Sequence, residues 1–300
     1  MSDSAWTPRI GTFNAMLLPR LLYPGWGARE RARLVVADGL LSGLDAVVLQ
    51  EGYDRAAAEI LAEGLRAEYP HRTPWVGRGR RGWDGTIGRA RALTPVAGGV
   101  AIVSRWPLRR RVQGLFAAAA GADRFARKGF ALASIDAPVG VIHLLGAHTQ
   151  ADGTGASPER ARAVRAAQFG EMRRALDGIA AAPAEPRFVA GDLNVIAGTD
   201  EETDMLRALG AQRPEHRGPD SFDTARNTMA ASPFGGTAPE HLDYVLALDG
   251  PGAPAPWRNT THARSSAAWT GRRGRRYTDY SDHYPVIGSV PPSEGVTASA

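Results

Sequence analysis

Cysteine is absent from the 300 residues of this chain, and lysine occurs only once, as Lys128. The missing thiols exclude disulfide bonds and also exclude a phosphatase that works through a cysteine nucleophile. They do not indicate the cellular compartment, because a chain without cysteine is compatible with any redox environment. No apolar run approaches the roughly 20 residues that a membrane-spanning helix requires, and no glycine-rich Walker loop is present.

Basic charge is carried almost entirely by arginine. The formal net charge is +5 at pH 7 and the pI is about 9.9. A basic surface attracts phosphate groups, whether of nucleic acid or of lipids, and a basic bias of the whole proteome explains the excess equally well. The single lysine indicates either a position that requires a compact ammonium group or simple chance.

The chain is predicted to form one domain over residues 9–290, because its Gly/Pro/Ala-rich patches are too short to be linkers. The small, polar ends, 1–8 and 291–300, are expected to be flexible. The N-terminus has neither a basic region nor an apolar core, so no signal peptide is visible. We expect a soluble protein as written, and a trimmed mature form of a secreted protein would look the same.

Helical and strand patterns alternate along the first part of the chain, and strands crowd the last third. Apolar residues recur at helical spacing over 29–41, 55–66 and 201–209, and Ser157 with Pro158 starts a long helix. Short apolar runs predict strands at 9–14, 45–50, 98–104, 131–135, 140–147, 187–190, 241–248 and 286–288. This order indicates an α/β fold with mixed sheets.

Polar side chains stand at the ends of two of these strands. Asp192 and Asn194 follow one apolar run, and Asp282 and His283 precede another. An acid that positions water, an amide that holds phosphate and an imidazole base are what the hydrolysis of a phosphate ester requires. Each group alone is typical of a polar turn, but together they predict a hydrolytic site.

Asn14 and Glu51 come at the ends of the first two strands. A carboxylate that leaves a buried strand is costly unless it is paired, and a divalent cation is its commonest partner. A salt bridge to an arginine is the alternative for Glu51, and a turn cap is the alternative for Asn14. We predict that Glu51 binds Mg²⁺, with Asn14 acting through water; Mn²⁺ and Co²⁺ are other candidate metals.

Consecutive side chains of an extended backbone point to opposite faces, so Asp282 and His283 are expected to have different roles. His283 needs a carboxylate that fixes its tautomer, and Asp243 is the better candidate. Asp282 is left for the metal side or for hydrogen bonds to the wall of the site. In the predicted reaction His283 deprotonates a water that Asp192 aligns for attack on phosphorus.

Two further polar residues are expected to hold the non-bridging phosphate oxygens while charge builds on them: Asn194 and His148. His148 ends its strand, whereas His143 lies inside the same apolar run and is predicted to be a packed core residue.

Together these residues resemble, in order and over nearly the whole chain, the motifs of the endonuclease/exonuclease/phosphatase superfamily. The matching residues are Asn14, Gln50-Glu51, Gly191-Asp192-Leu193-Asn194, Leu242-Asp243-Tyr244 and Ser281-Asp282-His283. The resemblance implies the DNase I-like four-layer α/β/β/α sandwich with two mixed β-sheets, and Mg²⁺-dependent hydrolysis of phosphodiesters or phosphomonoesters.

Other stretches are similar to the neutral sphingomyelinase branch, which includes bacterial sphingomyelinase C. They are Phe13-Asn14-Ala15-Met16-Leu17-Leu18-Pro19, Tyr23-Pro24-Gly25-Trp26-Gly27, Gly98-Gly99-Val100-Ala101, Lys128-Gly129-Phe130, His148-Thr149-Gln150-Ala151 and Tyr280-Ser281-Asp282-His283-Tyr284-Pro285. The resemblance implies release of ceramide and phosphocholine from sphingomyelin or a related phospholipid. It places Asp123 and Lys128 in a switch segment bordering the site, and Tyr53 near the choline head group.

Two segments bear on membrane contact. The loop 21–27 is interpreted as a platform for lipid or bases if it is exposed, and as a hydrophobic anchor if it is buried. The segment 263–277 is unlike the apolar membrane hairpin of secreted relatives; its Trp269 is interpreted as able to dip into an interface, beside four arginines that attract an anionic leaflet.

The expected partner is therefore a phospholipid at a membrane surface, met by a monomer without a stable nucleic-acid partner. A nuclease or phosphatase of the same fold and a non-catalytic lipid-binding module remain alternative functions.

Overall fold

The computed structural model describes residues 7–91, 94–138, 140–234 and 237–292. Most of the two expected flexible ends, 1–6 and 293–300, lies outside the described residues. Residues 7–8 and 291–292 are described, and they belong to no helix or strand.

The strands are numbered in chain order. They are β1 (Ile10–Leu17), β2 (Ala46–Gly52), β3 (His71–Arg72), β4 (Gly85–Ile87), β5 (Ala101–Ser104), β6 (Leu108–Leu115), β7 (Gly129–Ala137), β8 (Gly140–His148), β9 (Arg187–Asp192), β10 (Glu215–Arg217), β11 (Asp243–Ala247), β12 (Arg258–Thr261), β13 (Trp269–Thr270), β14 (Arg276–Tyr277) and β15 (Val286–Ser289).

These strands form two large sheets and a small ribbon. The seven-stranded sheet has the order β10-β12-β15-β1-β2-β5-β3, and the six-stranded sheet has the order β11-β9-β8-β7-β6-β4. Both large sheets are mixed, since β1 pairs parallel with β2 but antiparallel with β15, and β9 pairs parallel with β8 but antiparallel with β11. The ribbon consists of β13 and β14.

The two large sheets pack face to face around a shared apolar core. Val48 from the first sheet and Leu144, Phe188 and Val245 from the second belong to this cluster and are fully buried. Gly146 lets the sheets approach closely, because a Cβ atom there would lie only 2.5 Å from a methyl carbon of Val48. Strands buried on both faces read as continuous apolar runs, which explains why the central strands were predictable.

Helices cover the outer faces of both sheets. They are α1 (Ala28–Ala37), α2 (Arg55–Gly64), α3 (Pro158–Asp177), α4 (Asp200–Leu209) and the short α5 (Ala231–Phe234). The first two helices share a core with the seven-stranded sheet, and α3 and α4 share one with the six-stranded sheet. The predicted four-layer α/β/β/α sandwich is therefore confirmed.

Several predicted boundaries differ from the structure. Helix α1 ends at Ala37, although Leu40 and Leu41 stay buried and so continue the apolar pattern. Strand β5 begins only at Ala101, because Gly99 has a φ of 72° and interrupts extended backbone. The prediction missed β6, whose first half carries the arginines at 109–111 and therefore lacks an apolar run.

Among the described residues, no helix has the length and apolarity needed to cross a bilayer.

Candidate active site

Polar strand ends from both large sheets meet at one edge of the sandwich. The register pairs Asp192 at the end of β9 with His148 on one side and with Asp243 on the other. From the opposite sheet, Asn14 Nδ2 donates a hydrogen bond of 2.9 Å to Asp192 Oδ2. The strands thus bring together Asn14 and Asp192, which are 178 positions apart in sequence.

Asp192 is the centre of this network. Its Oδ1 accepts a hydrogen bond of 3.1 Å from the backbone N–H of Asn194, while its Oδ2 accepts the one from Asn14. Burial by itself raises the pKa of the carboxyl group, but the charge of His283, the Asn14 hydrogen bond and the charge of Lys128 outweigh it, so the pKa falls below its ordinary value. Asp192 is therefore a carboxylate that can accept hydrogen bonds from water.

His283 lies between two carboxylates. Its Nδ1 is 2.7 Å from Asp243 Oδ2, and its Nε2 is 3.8 Å from Asp192 Oδ2. Burial lowers the pKa of the imidazole, but the charges of Asp243 and Asp192 prevail and raise it well above the ordinary value. Asp243 thus fixes the tautomer that leaves Nε2 facing Asp192 and stabilises the imidazolium that proton uptake creates.

Glu51 is the acidic group of the site that the protein leaves unpaired. Its partly buried carboxylate forms no hydrogen bond or ion pair with any residue that the structure describes. Burial, and next the charge of Asp282, raise its pKa to about 7. A carboxylate that lacks a counter-charge beside a second carboxylate fits a divalent cation, which supplies the missing charge.

Asn14 is the other predicted metal ligand, and both polar atoms of its side chain already form hydrogen bonds within the protein. Its Nδ2 donates to Asp192, and its Oδ1 accepts a hydrogen bond of 3.1 Å from the backbone N–H of Met16. The structure shows Asn14 orienting Asp192, and its action on a metal through water stays a prediction.

Asp192, Asp243 and His283 form a second group whose ligand atoms are within 4.8 Å of one another and which can hold a cation. A cation there has to replace the hydrogen bond between His283 and Asp243. Because that contact has a normal hydrogen-bond length of 2.7 Å, we interpret Asp243 and His283 as an acid–imidazole pair, and binding of the cation by Glu51 stays a prediction.

Asp282 and His283 turn to different partners, as their alternation predicts. Ser281 Oγ lies 2.7 Å from the carbonyl oxygen of Asn14 and 3.0 Å from Asp282 Oδ1, and its single hydrogen can serve either acceptor. The charge of Asp282 also raises the pKa of Glu51, so Asp282 lies on the Glu51 side of the site, and the hydroxyl of Ser281 lies between it and β1.

The three predicted substrate-binding residues gather around His148. Lys128 Nζ contacts Asp123 Oδ2 at 2.8 Å, His148 Nε2 at 3.1 Å and the carbonyl oxygen of Thr149 at 2.9 Å. Tyr53 Oη lies 3.4 Å from His148 Nδ1. The buried ammonium thus makes the compact set of contacts that a single retained lysine suggested.

This arrangement constrains the role of His148. Burial and the charge of Lys128 lower its pKa to about 3, so its ring is neutral. Because the ammonium donates to Nε2, the ring proton belongs on Nδ1. His148 can donate to a phosphate oxygen through Nε2 only after Lys128 moves away, and its predicted phosphate-holding role depends on that rearrangement.

Asn194 also forms hydrogen bonds within the protein, through its side chain and through its backbone. Its Nδ2 donates a long hydrogen bond of 3.4 Å to the carbonyl oxygen of Thr149, and its backbone N–H supports Asp192. Its predicted contact with a phosphate oxygen stays a prediction.

The prediction assigned no role to Arg31. Its side chain connects the backbone segments that carry the site. This fully buried guanidinium donates to four backbone carbonyl oxygens, those of Ala15, Met16, Trp26 and Tyr280. Burial lowers its pKa to about 10, while the charges of Asp282 and Glu51 act in the opposite direction. No local sequence signal distinguishes Arg31 from the many exposed arginines, because its partners are backbone atoms of distant segments.

Backbone strain also concentrates here. Three of the four described non-glycine residues with φ in the left-handed region lie here: Met16, Glu51 and Asn194, with φ of 46°, 57° and 51°. The fourth is Arg273, with φ of 56°. Such conformations cost of order 1 kcal/mol or more and persist where the surrounding structure enforces them. Met16, Glu51 and Asn194 flank the acid network, which is consistent with a functional site.

The two predicted membrane segments differ in the exposure of their aromatic side chains. Trp269 is buried; it stacks on Tyr277 at 4.7 Å, and its Nε1 donates to the carbonyl oxygen of Asp279 at 3.0 Å. The expectation that Trp269 dips into an interface is therefore wrong. In the loop 21–27, Tyr23 is exposed whereas Trp26 is buried, so the loop is a platform at its tip and an anchor at its base.

His143 is a packed core residue, as predicted, and contacts Ser134 and Glu185.

The chain is similar to known proteins over most of its length. A family model described as Endonuclease/Exonuclease/phosphatase family matches residues 11–283. Sphingomyelinase C of Listeria ivanovii is 36% identical over 285 residues, which cover 93% of this chain and 85% of that protein.

Two solved structures are also similar over most of the chain. The crystal structure of sphingomyelinase C from Streptomyces griseocarneus has 40% sequence identity and a TM-score of 0.91, and the match covers 95% of this chain and 100% of that one. A crystal structure of beta toxin from Staphylococcus aureus with bound magnesium ions has 30% identity and a TM-score of 0.92, with the same coverage.

Proposed function

Because this chain belongs to the endonuclease/exonuclease/phosphatase family and to its sphingomyelinase C branch, we propose that it hydrolyses sphingomyelin or a related phospholipid to ceramide and phosphocholine. The observation that carries the proposal is the acid–imidazole network, in which Nε2 of His283 faces Asp192 while Asp243 supports the ring from behind. A non-catalytic lipid-binding module has no need for a buried imidazole held between two carboxylates.

The side chains suit attack by water on phosphorus. Asp192, held by Asn14, accepts a hydrogen bond from the water and aligns it. Neutral His283 takes the water proton at Nε2, and Asp243 stabilises the resulting imidazolium. The new bond from oxygen to phosphorus forms as the bond to the ceramide oxygen breaks. The ceramide oxygen takes up a proton from solvent water, and His283 returns the proton it gained to solvent.

We propose Mg²⁺ as the cofactor, with Mn²⁺ or Co²⁺ as substitutes, held by Glu51 with Asp282 nearby and with Asn14 acting through water. When bound, the ion supplies positive charge that stabilises the negative charge developing on the phosphoryl oxygens. The unpaired carboxylate of Glu51 supports this assignment, as does the magnesium bound in the similar beta toxin structure.

The substrate contacts are proposed on the other side of His148. Asn194 and His148 hold the non-bridging oxygens, Tyr53 borders the choline group, and Lys128 with Asp123 forms the adjacent switch segment. The closed contact between Lys128 and His148 supports this proposal, because the phosphate of a substrate can replace His148 as the partner of the ammonium. The expected partner is a phospholipid at a membrane surface, met by a monomer that binds no nucleic acid stably.

The test is release of phosphocholine from sphingomyelin in mixed micelles, measured beside phosphatidylcholine and plasmid DNA. We expect turnover of sphingomyelin that requires Mg²⁺ and disappears with EDTA and with His283→Ala. The matched control is His71→Ala, at the far edge of the seven-stranded sheet. Nicking of DNA without lipid turnover contradicts the proposal and assigns the same site to a nuclease.

A further inference from the structure

The loop between β1 and α1 exposes three consecutive large apolar side chains, which we call the apolar tip. Leu21 is 98% exposed, Leu22 67% and Tyr23 48%. Exposed large apolar side chains elsewhere in the described residues occur singly, at Ile87, Phe125 and Ile196. Single exposed apolar residues are ordinary, whereas contiguous ones mark a surface that another apolar phase covers.

The apolar tip is a structured turn. The backbone N–H groups of Leu22 and Tyr23 donate to the carbonyl oxygen of Pro19 at 3.0 and 2.9 Å. At the base of the turn Trp26 is buried, and its carbonyl oxygen accepts from Arg31 Nε at 2.8 Å. The two leucines are thus held outward by a fixed backbone.

Arginines surround the apolar tip. Gly25 packs on Arg272, since a Cβ atom at Gly25 would lie 3.0 Å from the Cα atom of Arg272. The exposed arginines of this adjoining turn form no ion pair with any described residue: Arg272, Arg273, Arg275 and Arg276. A groove of about 410 Å³ at the base of the tip is lined by Arg20, Arg29 and Arg33, together with Glu30 and Asp54.

The apolar tip is continuous with the candidate active site. It follows β1, the strand that carries Asn14, and the carbonyl oxygen of Leu17 accepts from the backbone N–H of Asp54 at 2.7 Å. Asp54 directly follows Tyr53, which contacts His148. A surface that covers the tip therefore lies beside the residues proposed to bind the lipid head group.

We propose that the apolar tip and the adjoining arginines 272–276 form a docking surface for a phospholipid bilayer, in which Leu21 and Leu22 enter the interface. The arginines contact head-group phosphates, and anionic lipid strengthens the binding. Nucleic acid fits less well, because the two most exposed side chains of the tip, Leu21 and Leu22, are aliphatic, and only Tyr23 has a π face on which a base can stack. This inference rests on the proposed function only for the identity of the substrate, since docking is measured without turnover.

The absence of cysteine permits a direct test. Leu22→Cys, made in a His283→Ala background and labelled with a polarity-sensitive dye, is mixed with vesicles of phosphatidylcholine and sphingomyelin, with or without phosphatidylserine. We expect a blue shift and quenching by lipids that carry a quencher on their acyl chains. Ile87→Cys, on the edge strand β4 of the other sheet, is the matched control and is expected to show neither effect.

A second variant measures the contribution to binding. Leu21→Ser with Leu22→Ser, in the same background, is expected to weaken co-sedimentation with vesicles by roughly tenfold or more, whereas Ile87→Ser leaves it unchanged. Arg272→Gln with Arg273→Gln is expected to weaken binding mainly to vesicles that contain phosphatidylserine.

The activity of these variants, with His283 intact, separates the two proposals. Hydrolysis of a water-soluble phosphocholine ester is expected to be equal in wild type and Leu21→Ser/Leu22→Ser, while hydrolysis in vesicles falls. If the soluble ester is cleaved but vesicle binding does not depend on the leucines, docking by the tip is wrong and the proposed function stands. If the leucine variants instead abolish self-association of the wild type, or DNA binding, the occupant is a second copy or nucleic acid and the proposal is overturned.

Discussion

The two sides of the candidate active site differ in how far the protein pairs their polar atoms. On the acid–imidazole side, formed by Asp192, Asp243 and His283, each carboxylate accepts at least one hydrogen bond of 2.7–3.1 Å, and only Oδ1 of Asp243 lacks a partner among the described residues. On the carboxylate side, formed by Glu51 and Asp282, the Glu51 carboxylate has no partner among the described residues, and its pKa rises to about 7.

This difference suggests different roles. The paired residues can take part in the reaction directly, whereas Glu51 requires a bound cation to balance its charge. A hydrogen-bonded network holds its geometry before substrate arrives, so little reorganisation is needed during reaction. An unpaired buried carboxylate is destabilising until a counter-charge binds, so its ionisation and the stability of the protein are linked to the ion. Changes on the first side should therefore alter turnover, and changes on the second should alter the response to metal.

The largest effect is expected on the acid–imidazole side. Asp243→Asn removes the charge that supports His283, and kcat should fall by about a thousandfold because the imidazolium formed on proton uptake loses its stabilisation. His283 acts only when deprotonated, and Asp243 raises its pKa. The acid limb of the pH–rate profile should therefore move to lower pH in the variant.

Steady-state kinetics across a pH series provide the measurement. Asp220→Asn, a partly exposed carboxylate outside the network, is the control and should leave both kcat and the acid limb in place. An acid limb that stays in place or moves to higher pH would show that Asp243 does not act through the pKa of His283.

Replacing Arg31 tests whether its hydrogen bonds to the backbone stabilise both sides of the site. Arg31→Met removes the donor that four buried carbonyl oxygens share, and only the oxygen of Met16 is known to keep another, the backbone N–H of Leu18. The free energy of unfolding should fall by about 3 kcal/mol. Urea denaturation measures this loss. Arg33→Met, exposed on the same helix, should change stability by less than about 0.5 kcal/mol, and equal losses in the two variants would refute the structural role.

Glu51→Gln tests the carboxylate side. A raised carboxyl pKa means that the group favours folding below its unfolded-state pKa, near 4.5, and that this contribution is lost as pH rises to about 7. Without metal at pH 8, the variant should be more stable than wild type by about 2 kcal/mol, and the difference should vanish near pH 4.

Thermal unfolding with EDTA and then with Mg²⁺ is the measurement. Added Mg²⁺ should raise the Tm of wild type and leave that of Glu51→Gln nearly unchanged. An undiminished response of the variant to Mg²⁺ would move the cation to the group formed by Asp192, Asp243 and His283.

The smallest effect is expected at Lys128. In Lys128→Arg a planar guanidinium replaces an ammonium that contacts three groups at 2.8–3.1 Å, and kcat/KM should fall by about tenfold. The exposed neighbour Arg124 supplies the control as Arg124→Lys. Unchanged kinetics in Lys128→Arg would favour chance as the reason for the single lysine.

The acid–imidazole side was predictable because strand ends carry a readable pattern. Asp192 and His283 adjoin apolar runs, and the alternation of an extended backbone separated His283 from Asp282. Arg31 was not predictable, because hydrogen bonds to backbone carbonyls leave no trace in the types of the partner residues. The burial of Trp269 was likewise hidden, since an aromatic residue among arginines looks the same in sequence whether it packs inward or projects outward.

The sequence by itself determined the alternation of strands and helices, the mixed α/β class and the residues that gather at one edge, because periodicity and polar strand ends are local properties. Only the tertiary structure decided which carboxylates are paired, that Lys128 closes on His148, and that Leu21 and Leu22 face solvent while Trp269 does not. Pairing and burial depend on distances between segments far apart in the chain, and those distances exist only once the two sheets have packed.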